Sequence, residues 1–326
     1  MLILGLQGSP RQKGNTAYLL ATFLDECRIQ GATTKIIPVA KKDIRACLGC
    51  GFCETHGYCV IIDDAMSREI YTLLREAEVI VAASPIFFYN FPSGIKALID
   101  RSQTLWSRKY KFGLDDPRRG TRKGFLLAQG ATRGKDLFQG TRMTAKYFFD
   151  AVGAEFAGSL TYRRIEAKGD MEKHPTVILD CRQAVRELLP PLQDRKTIIF
   201  ACRENSCRSQ MAAAFAGYLA GDRFEVLSAG SEPAAEINPD TVRVMQEKGL
   251  DLAFFRPRPL PEALESASVD LIVTMGCGEV CPVVPGARRL DWDLPDPAGR
   301  SIEFMRETRD RIEEMVRELV SAETSA

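Results

Sequence analysis

Between an apolar run, Thr197-Ile198-Ile199-Phe200, and a stretch patterned as helix from Gln210 to Leu219 lies Cys202-Arg203-Glu204-Asn205-Ser206-Cys207-Arg208-Ser209. A cysteine six residues before an arginine, at a strand-to-helix junction, leaves the backbone few options. The N–H groups of such a loop converge on one point, and the following helix turns its positive end toward it. An arginine fork can hold two oxygens of a tetrahedral oxyanion. Cys202, inside that positive field, is placed as a thiolate nucleophile. One short segment therefore supplies an anion cradle and an attacking group.

Cys-x5-Arg-Ser after a strand resembles the low-molecular-weight tyrosine phosphatase family and the arsenate reductases built on the same fold. The resemblance covers roughly residues 196–326 and includes Ser228-Ala229-Gly230, Glu247-Lys248-Gly249-Leu250-Asp251 and the late Asp296-Pro297. It implies that Arg208, with Asn205, Ser206, Cys207 and Ser209 of the loop, holds the substrate, and that Asp296 is the general acid. Phosphatases follow the Asp-Pro with aromatic residues that flank a phenyl ring, whereas Ala298-Gly299 follow here. Cys277 and Cys281 resemble the thiol relay of the thioredoxin-coupled arsenate reductases, an enzyme type that needs further thiols because arsenate reduction ends in a disulfide. Glu204 stands where the family commonly has glycine. Its carboxylate is therefore expected to point away from the anion or to be paired. Cys207 reads equally as a small buried hydrophobe.

At 326 residues the chain is long enough for two domains. The boundary is expected at Pro190 to Lys196, giving domains over 1–192 and 196–326. A net charge of +1 makes no case for nucleic acid or a membrane surface, and no apolar run reaches the roughly 18 residues of a membrane span. Met1 runs straight into the strand Leu2 to Leu6, so no signal peptide is expected. Ten cysteines, several closely spaced, suggest metal or redox chemistry in the cytosol rather than a secreted disulfide framework.

The first half opens in the same way as the second, with a strand, the loop Gly8-Ser9-Pro10-Arg11-Gln12-Lys13-Gly14-Asn15-Thr16, and a helix. Two more strands end in loops: 79–83 before Ser84 to Pro92, and 124–128 before Gln129-Gly130. Ligands in open α/β sheets bind outside such strand ends. Together these segments resemble the flavodoxin-like NADPH-dependent FMN reductases and iron–sulfur flavoproteins, over about residues 1–190. The fold implied for both domains is α/β, an open parallel sheet with helices on both faces. By this resemblance Ser9, Arg11, Asn15 and Thr16 hold the FMN phosphate. Pro85, Ile86, Phe87, Phe88, Tyr89 and Asn90 line the isoalloxazine ring, with Gly130 close by, and NAD(P)H is the electron donor. The resemblance also implies a homo-oligomer, for which Phe87 to Phe91 offer an interface.

Cys47-x2-Cys50-x2-Cys53-x5-Cys59 matches the compact motif of the iron–sulfur flavoproteins and suits a [4Fe–4S] cluster, with glycines at 49, 51 and 57 to let the loop fold tightly. Structural zinc and free or disulfide-forming thiols fit the same four residues. Arg108-Lys109-Tyr110-Lys111, Arg118-Arg119 and Arg122-Lys123 form a basic stretch that reads as a solvated loop or as a site for an anionic partner. The sequence thus reads as an arsenate reductase joined to an NAD(P)H-dependent flavoprotein. Its electrons come from that flavoprotein or from thioredoxin, and the alternative is a tyrosine phosphatase joined to a flavin reductase.

Overall fold

The computed structural model describes residues 1–265, 268–275, 284 and 286–325. The chain divides into two compact units. The first comprises Met1–Gly113 and Thr121–Pro190, the second Leu114–Gly120 and Pro191–Ala326.

The first unit holds β1 (Leu2–Gln7), β2 (Thr33–Pro38), β3 (Val79–Pro85), β4 (Lys123–Gly130) and β5 (Glu155–Arg163), all parallel in the order β2-β1-β3-β4-β5. This doubly wound order places a crevice at the carboxyl ends of β1 and β3, where the strand order reverses. Burial follows the order: every residue of the central β3 is buried, whereas only one residue of the edge strand β2 is. Helices α1 (Asn15–Ile29), α2 (Phe52–His56), α3 (Tyr71–Glu76), α4 (Ser93–Arg101), α5 (Gln103–Tyr110), α6 (Gln139–Ala151) and α7 (Val177–Leu188) fill the connections. Phe23 of α1 stacks on Phe125 of β4, with ring centroids 5.0 Å apart, and ties helix to sheet.

After α8 (Pro190–Gln193), the second unit builds β6 (Lys196–Cys202), α9 (Arg208–Ala220), β7 (Phe224–Gly230), α10 (Pro239–Gln246), α11 (Leu260–Glu265), β8 (Leu271–Met275), β9 (Arg288–Trp292) and α12 (Ile302–Ser325). Its four strands are parallel in the order β7-β6-β8-β9. One face of the sheet buries Phe200 and Val273 against Met211 and Phe215 of α9 and Ile312 and Val316 of α12. The other buries Ile199, Leu227 and Ile272 against Leu260 and Ala263 of α11. Both domains therefore have the expected parallel α/β architecture.

The segment Leu114–Gly120 lies in the sequence of the first half yet packs within the second unit. Asp115 N–H donates to Gly249 O at 2.7 Å, and Asp251 N–H donates to Asp115 O at 2.8 Å, as in a one-residue parallel strand. Arg118 donates to Val226 O, and Pro117 lies against Gly217 of α9. Lys111 and Arg119 of the basic stretch are exposed, but the stretch as a whole is not a free solvated loop or patch. Arg108 and Arg122 are buried and donate to backbone carbonyls, while Lys109, Arg119 and Lys123 pair with Asp150, Asp115 and Glu155. Among the described residues, no helix is long and apolar enough to cross a membrane.

Candidate functional site

Cys202 ends β6 and Arg208 begins α9, so the loop between them sits where strand end and helix start meet. Its carbonyls are committed outward. Cys202 O, Arg203 O, Glu204 O and Ser206 O accept from the N–H groups of Ser231, Glu232, Ala234 and Asn238. A loop so fixed presents its own N–H groups inward. Asn205 makes the sharpest turn, at φ 50°, a left-handed conformation that asparagine tolerates better than most residues. It is fully buried, and its N–H and side-chain amide are all engaged. Its N–H donates to Cys202 Sγ at 3.2 Å, its Nδ2 donates to Ser209 Oγ at 2.7 Å, and its Oδ1 accepts from Arg258 N–H and Gln210 Nε2. Ser209 Oγ in turn lies 2.9 Å from Cys202 Sγ. The nucleophile is held from two sides.

Gly230 at the end of β7 makes this possible. A Cβ there would lie 2.5 Å from Arg203 O and 3.0 Å from Asn205 N, so only glycine lets the loop come this close. Arg208, 4% exposed, is anchored by Nη1 to Met275 O and Leu294 O, while Nη2 donates to Asp296 Oδ2 at 2.8 Å. Its Nε is buried without a partner, leaving a donor for an oxyanion. Glu204 is paired as expected, accepting from Ser206 Oγ at 3.2 Å. Burial pushes the Cys207 thiol up from its ordinary value, which suits a buried thiol rather than a second nucleophile.

In the first unit, the loops after β1, β3, β4 and β5 surround a cavity of about 640 Å³, a size typical of small-molecule sites. Ser9, Arg11, Asn15 and Thr16 line one end, and Pro85, Ile86, Phe87 and Gly130 also line it. Helix α1 opens without a side-chain cap, so its first N–H groups face the cavity end unclaimed by any capping side chain. Gln129 Nε2 donates to Thr16 Oγ1, while Gln129 Oε1 is buried with no partner. A cavity with cationic Arg11 and Lys13, apolar Ile86 and Phe87, and an orphaned amide oxygen fits a phosphorylated aromatic cofactor such as FMN.

All four cysteines of the first unit's motif line a second cavity, of about 480 Å³. Gly49 and Gly51 turn the loop in left-handed conformations, at φ 62° and 69°. Arg101, buried and paired with Asp64 at 2.6 Å, lines the same cavity with its Nε unpartnered. Four thiols beside a buried cation suit an anionic cluster in donor type. The arrangement, however, is open: among the described residues no three His, Cys, Asp or Glu side chains stand close enough together to hold a metal ion.

Residues 197–325 match the low molecular weight phosphotyrosine protein phosphatase family, and residues 1–121 match the NADPH-dependent FMN reductase family. Arsenate reductase 1 of Bacillus cereus is 39% identical over 126 residues, which make up 37% of this chain and 91% of that protein. Through its second unit, the chain belongs to the arsenate reductase family. An iron-sulfur flavoprotein of Methanocaldococcus jannaschii is 38% identical over 105 residues, 32% of this chain and 53% of that protein. Another, of Methanosarcina thermophila, is 33% identical over 133 residues, 41% of this chain and 65% of that protein. The match therefore spans only about half to two thirds of the flavoproteins' length. The chain is an arsenate reductase-like domain joined to an FMN reductase-like one.

In the arsenate reductase-like unit, the structure brings together Cys202, Asn205, Ser206, Cys207, Arg208, Ser209 and Asp296, whereas Cys277 and Cys281 lie outside the described residues. Gln210 and Arg258, which steady Asn205, went unread because each acts through another residue. In the flavin-type cavity, Phe88, Tyr89 and Asn90 do not line the wall. Phe88 and Tyr89 take left-handed turns, at φ 47° and 62°, that carry their rings outward, and Asn90 Oδ1 accepts from Phe91 N–H. Asn15 lines the cavity, but its amide is occupied elsewhere: Nδ2 donates to Ala167 O, and Oδ1 accepts from Gly169 and Met171 N–H. Pro10, Lys13, Gly14, Gln129 and Ala131 of the loops singled out from the sequence also line the cavity, and Ile165, Glu166 and Lys168, not read from the sequence, complete the lining.

Proposed function

We propose that the chain reduces arsenate to arsenite and draws the electrons from NAD(P)H through FMN held by the first unit. The observation that carries the first half is the Arg208 fork. One guanidinium pairs with Asp296 on Nη2 and leaves Nε free, at the end of a loop whose sulfur is held by Asn205 and Ser209. Arsenate oxygens take that Nε and the inward N–H groups of the loop. Cys202 attacks arsenic, and Asp296 protonates the departing hydroxide. Cys277 then attacks Cys202 Sγ. The S–As electron pair stays on arsenic, arsenite leaves, and a Cys202–Cys277 disulfide remains. Cys281 attacks Cys277, frees Cys202 and passes the oxidised state to the Cys277–Cys281 pair. Two electrons must then return.

When bound, FMN supplies those electrons as a carrier of hydride from NAD(P)H. Arg11, Lys13 and the bare start of α1 would take its phosphate, and Ile86 and Phe87 its ring. A [4Fe–4S] cluster at Cys47, Cys50, Cys53 and Cys59 is proposed on the donor set and on the iron–sulfur flavoprotein relatives. Iron and sulfide analysis of anaerobically purified protein decides between it, zinc and free thiols. Chemistry that depends on reduced thiols supports a cytosolic location. The outward rings of Phe88 and Tyr89 support a homo-oligomer, which sedimentation would test.

The deciding experiment is arsenate-dependent oxidation of NADPH or NADH by anaerobic, FMN-reconstituted protein without thioredoxin. Sustained turnover is expected. Silence relieved by thioredoxin and its reductase would keep the arsenate reductase and remove the internal electron path. Hydrolysis of aryl phosphates that survives loss of Cys277 and Cys281 would restore the phosphatase reading, which the arsenate reductase relatives do not favour.

A further inference from the structure

The loop leaving β5 runs between two established parts of the cofactor-type cavity. At one end Ile165 N–H donates to Gly130 O at 3.1 Å, tying the loop to the end of β4. At the other, the Asn15 amide clasps it at three points: Ala167 O at 2.8 Å, Gly169 N–H at 3.1 Å and Met171 N–H at 3.2 Å. A second brace lies within the loop, where Asp170 Oδ2 accepts from Glu166 N–H at 2.9 Å and Ala167 N–H at 2.7 Å. Asn15 is 9% exposed and sits in the first turn of α1, so its clasp fixes the loop to the same helix start that faces the cavity. The fixed loop contributes Ile165, Glu166 and Lys168 to the wall.

We infer that Asn15 is a positioning residue that holds residues 164–171 as a fourth wall of the flavin site, and is not a ligand of the cofactor phosphate. The inference rests on the flavin reading of the first unit. Its reason is valence. A neutral side-chain amide offers two donor hydrogens and one acceptor oxygen. Here the oxygen takes two N–H groups and the nitrogen gives one of its two hydrogens to a carbonyl across 152 residues of sequence, so three of the amide's four bonding positions are spent on the loop and the amide cannot turn toward a phosphate without breaking them. An amide turned to phosphate would release the loop, and an unanchored loop would cover the ligand only part of the time.

A flavin without phosphate separates the two roles. Riboflavin is titrated into apo-protein and followed by flavin fluorescence, for the wild type, Asn15→Ala and Asp170→Ala. Asp170 is outside the cavity lining and braces only the loop, so its variant checks the wall without touching the start of α1. The expected result is a loss of riboflavin affinity on the order of tenfold in both variants. Faster amide exchange at Gly169 and Met171 should accompany it in Asn15→Ala. Unchanged riboflavin affinity in Asn15→Ala overturns the inference, whether or not FMN affinity falls. Unchanged affinity in Asp170→Ala overturns the wall itself. A wild-type protein that binds neither riboflavin nor FMN overturns the flavin reading, and the inference with it.

Discussion

The two anion-type loops of this chain start alike and end differently. Both follow the first strand of their sheet, and both lead into a helix. The loop after β6 closes upon itself: Asn205 is bonded through its backbone N–H and both ends of its side-chain amide, the sulfur is gripped by two neighbours, and Asn205, Ser206, Arg208 and Ser209 are all buried. The loop after β1 stays open, with Arg11 and Lys13 exposed and Asn15 spent on a distant loop. The difference follows from what each must do. Attack on a small oxyanion requires donors fixed before the substrate arrives. A large cofactor is enclosed by several walls, and no single loop has to be complete.

The largest expected effect follows from that self-contained nucleophile. Cys202→Ser should lower arsenate turnover by roughly four orders of magnitude or more, while flavin reduction by NAD(P)H stays at the wild-type rate. Stopped-flow reduction and an arsenite assay on the same sample would show both. If both activities fell together, the independence of the two loops would be lost.

A subtler break is Gly230→Ala. The added methyl meets Arg203 O and Asn205 N, so the loop must shift by several tenths of an ångström. Arsenate turnover is expected to fall on the order of a hundredfold, with the second unit destabilised by about 1–3 kcal/mol. Thermal unfolding and steady-state kinetics would measure the two, and riboflavin binding should not change. Full activity would mean that the cradle tolerates more slack than its bonding implies.

The smallest effect lies in acid. Hydrogen bonds from Arg306, opposed by a smaller burial effect and joined by those from Arg309, pull the Glu247 carboxyl from 4.5 down to about 2. A carboxylate lowered on folding adds stability above its unfolded value and loses it as pH falls from about 4.5 toward 2. Because the group is partly exposed, its share should stay under about 1 kcal/mol. Glu247→Gln should flatten that part of the second unit's stability curve, as followed by urea unfolding from pH 6 to pH 3. An unchanged slope would mean that the α10–α12 ion pairs hold nothing measurable.

The same contrast decides what could be read from the sequence. The cradle occupies consecutive residues, so spacing pointed to Cys202 and Arg208, while Asn205, Ser209 and the distant Asp296 came from the family pattern. The flavin-type cavity draws on four loops, and the one carrying Ile165, Glu166 and Lys168 has no glycine-rich or aromatic signature to announce it. Its clasp is a hydrogen-bond pairing between positions 15 and 167–171, which no local pattern encodes. The aromatic run at 85–90 was half legible. Chemical type suggested ring contacts, but the left-handed turns at Phe88 and Tyr89 decide which rings face inward. The basic stretch was misread because charge count says nothing about carbonyl partners, and these settle the fate of Arg108 and Arg122.

The short strand-like segment at 114–120 gives the fusion an unusual topology. The chain passes between the units three times, at 113/114, 120/121 and 190/191. A protease nick after Pro190 would therefore yield two fragments that do not correspond to the two units. The shorter, 191–326, would lack a piece of its own fold, still carried by the longer one and bonded on both sides of Leu250. The nicked halves should migrate together until denatured, and a gene encoding only the second half would produce a protein missing one of its own structural parts.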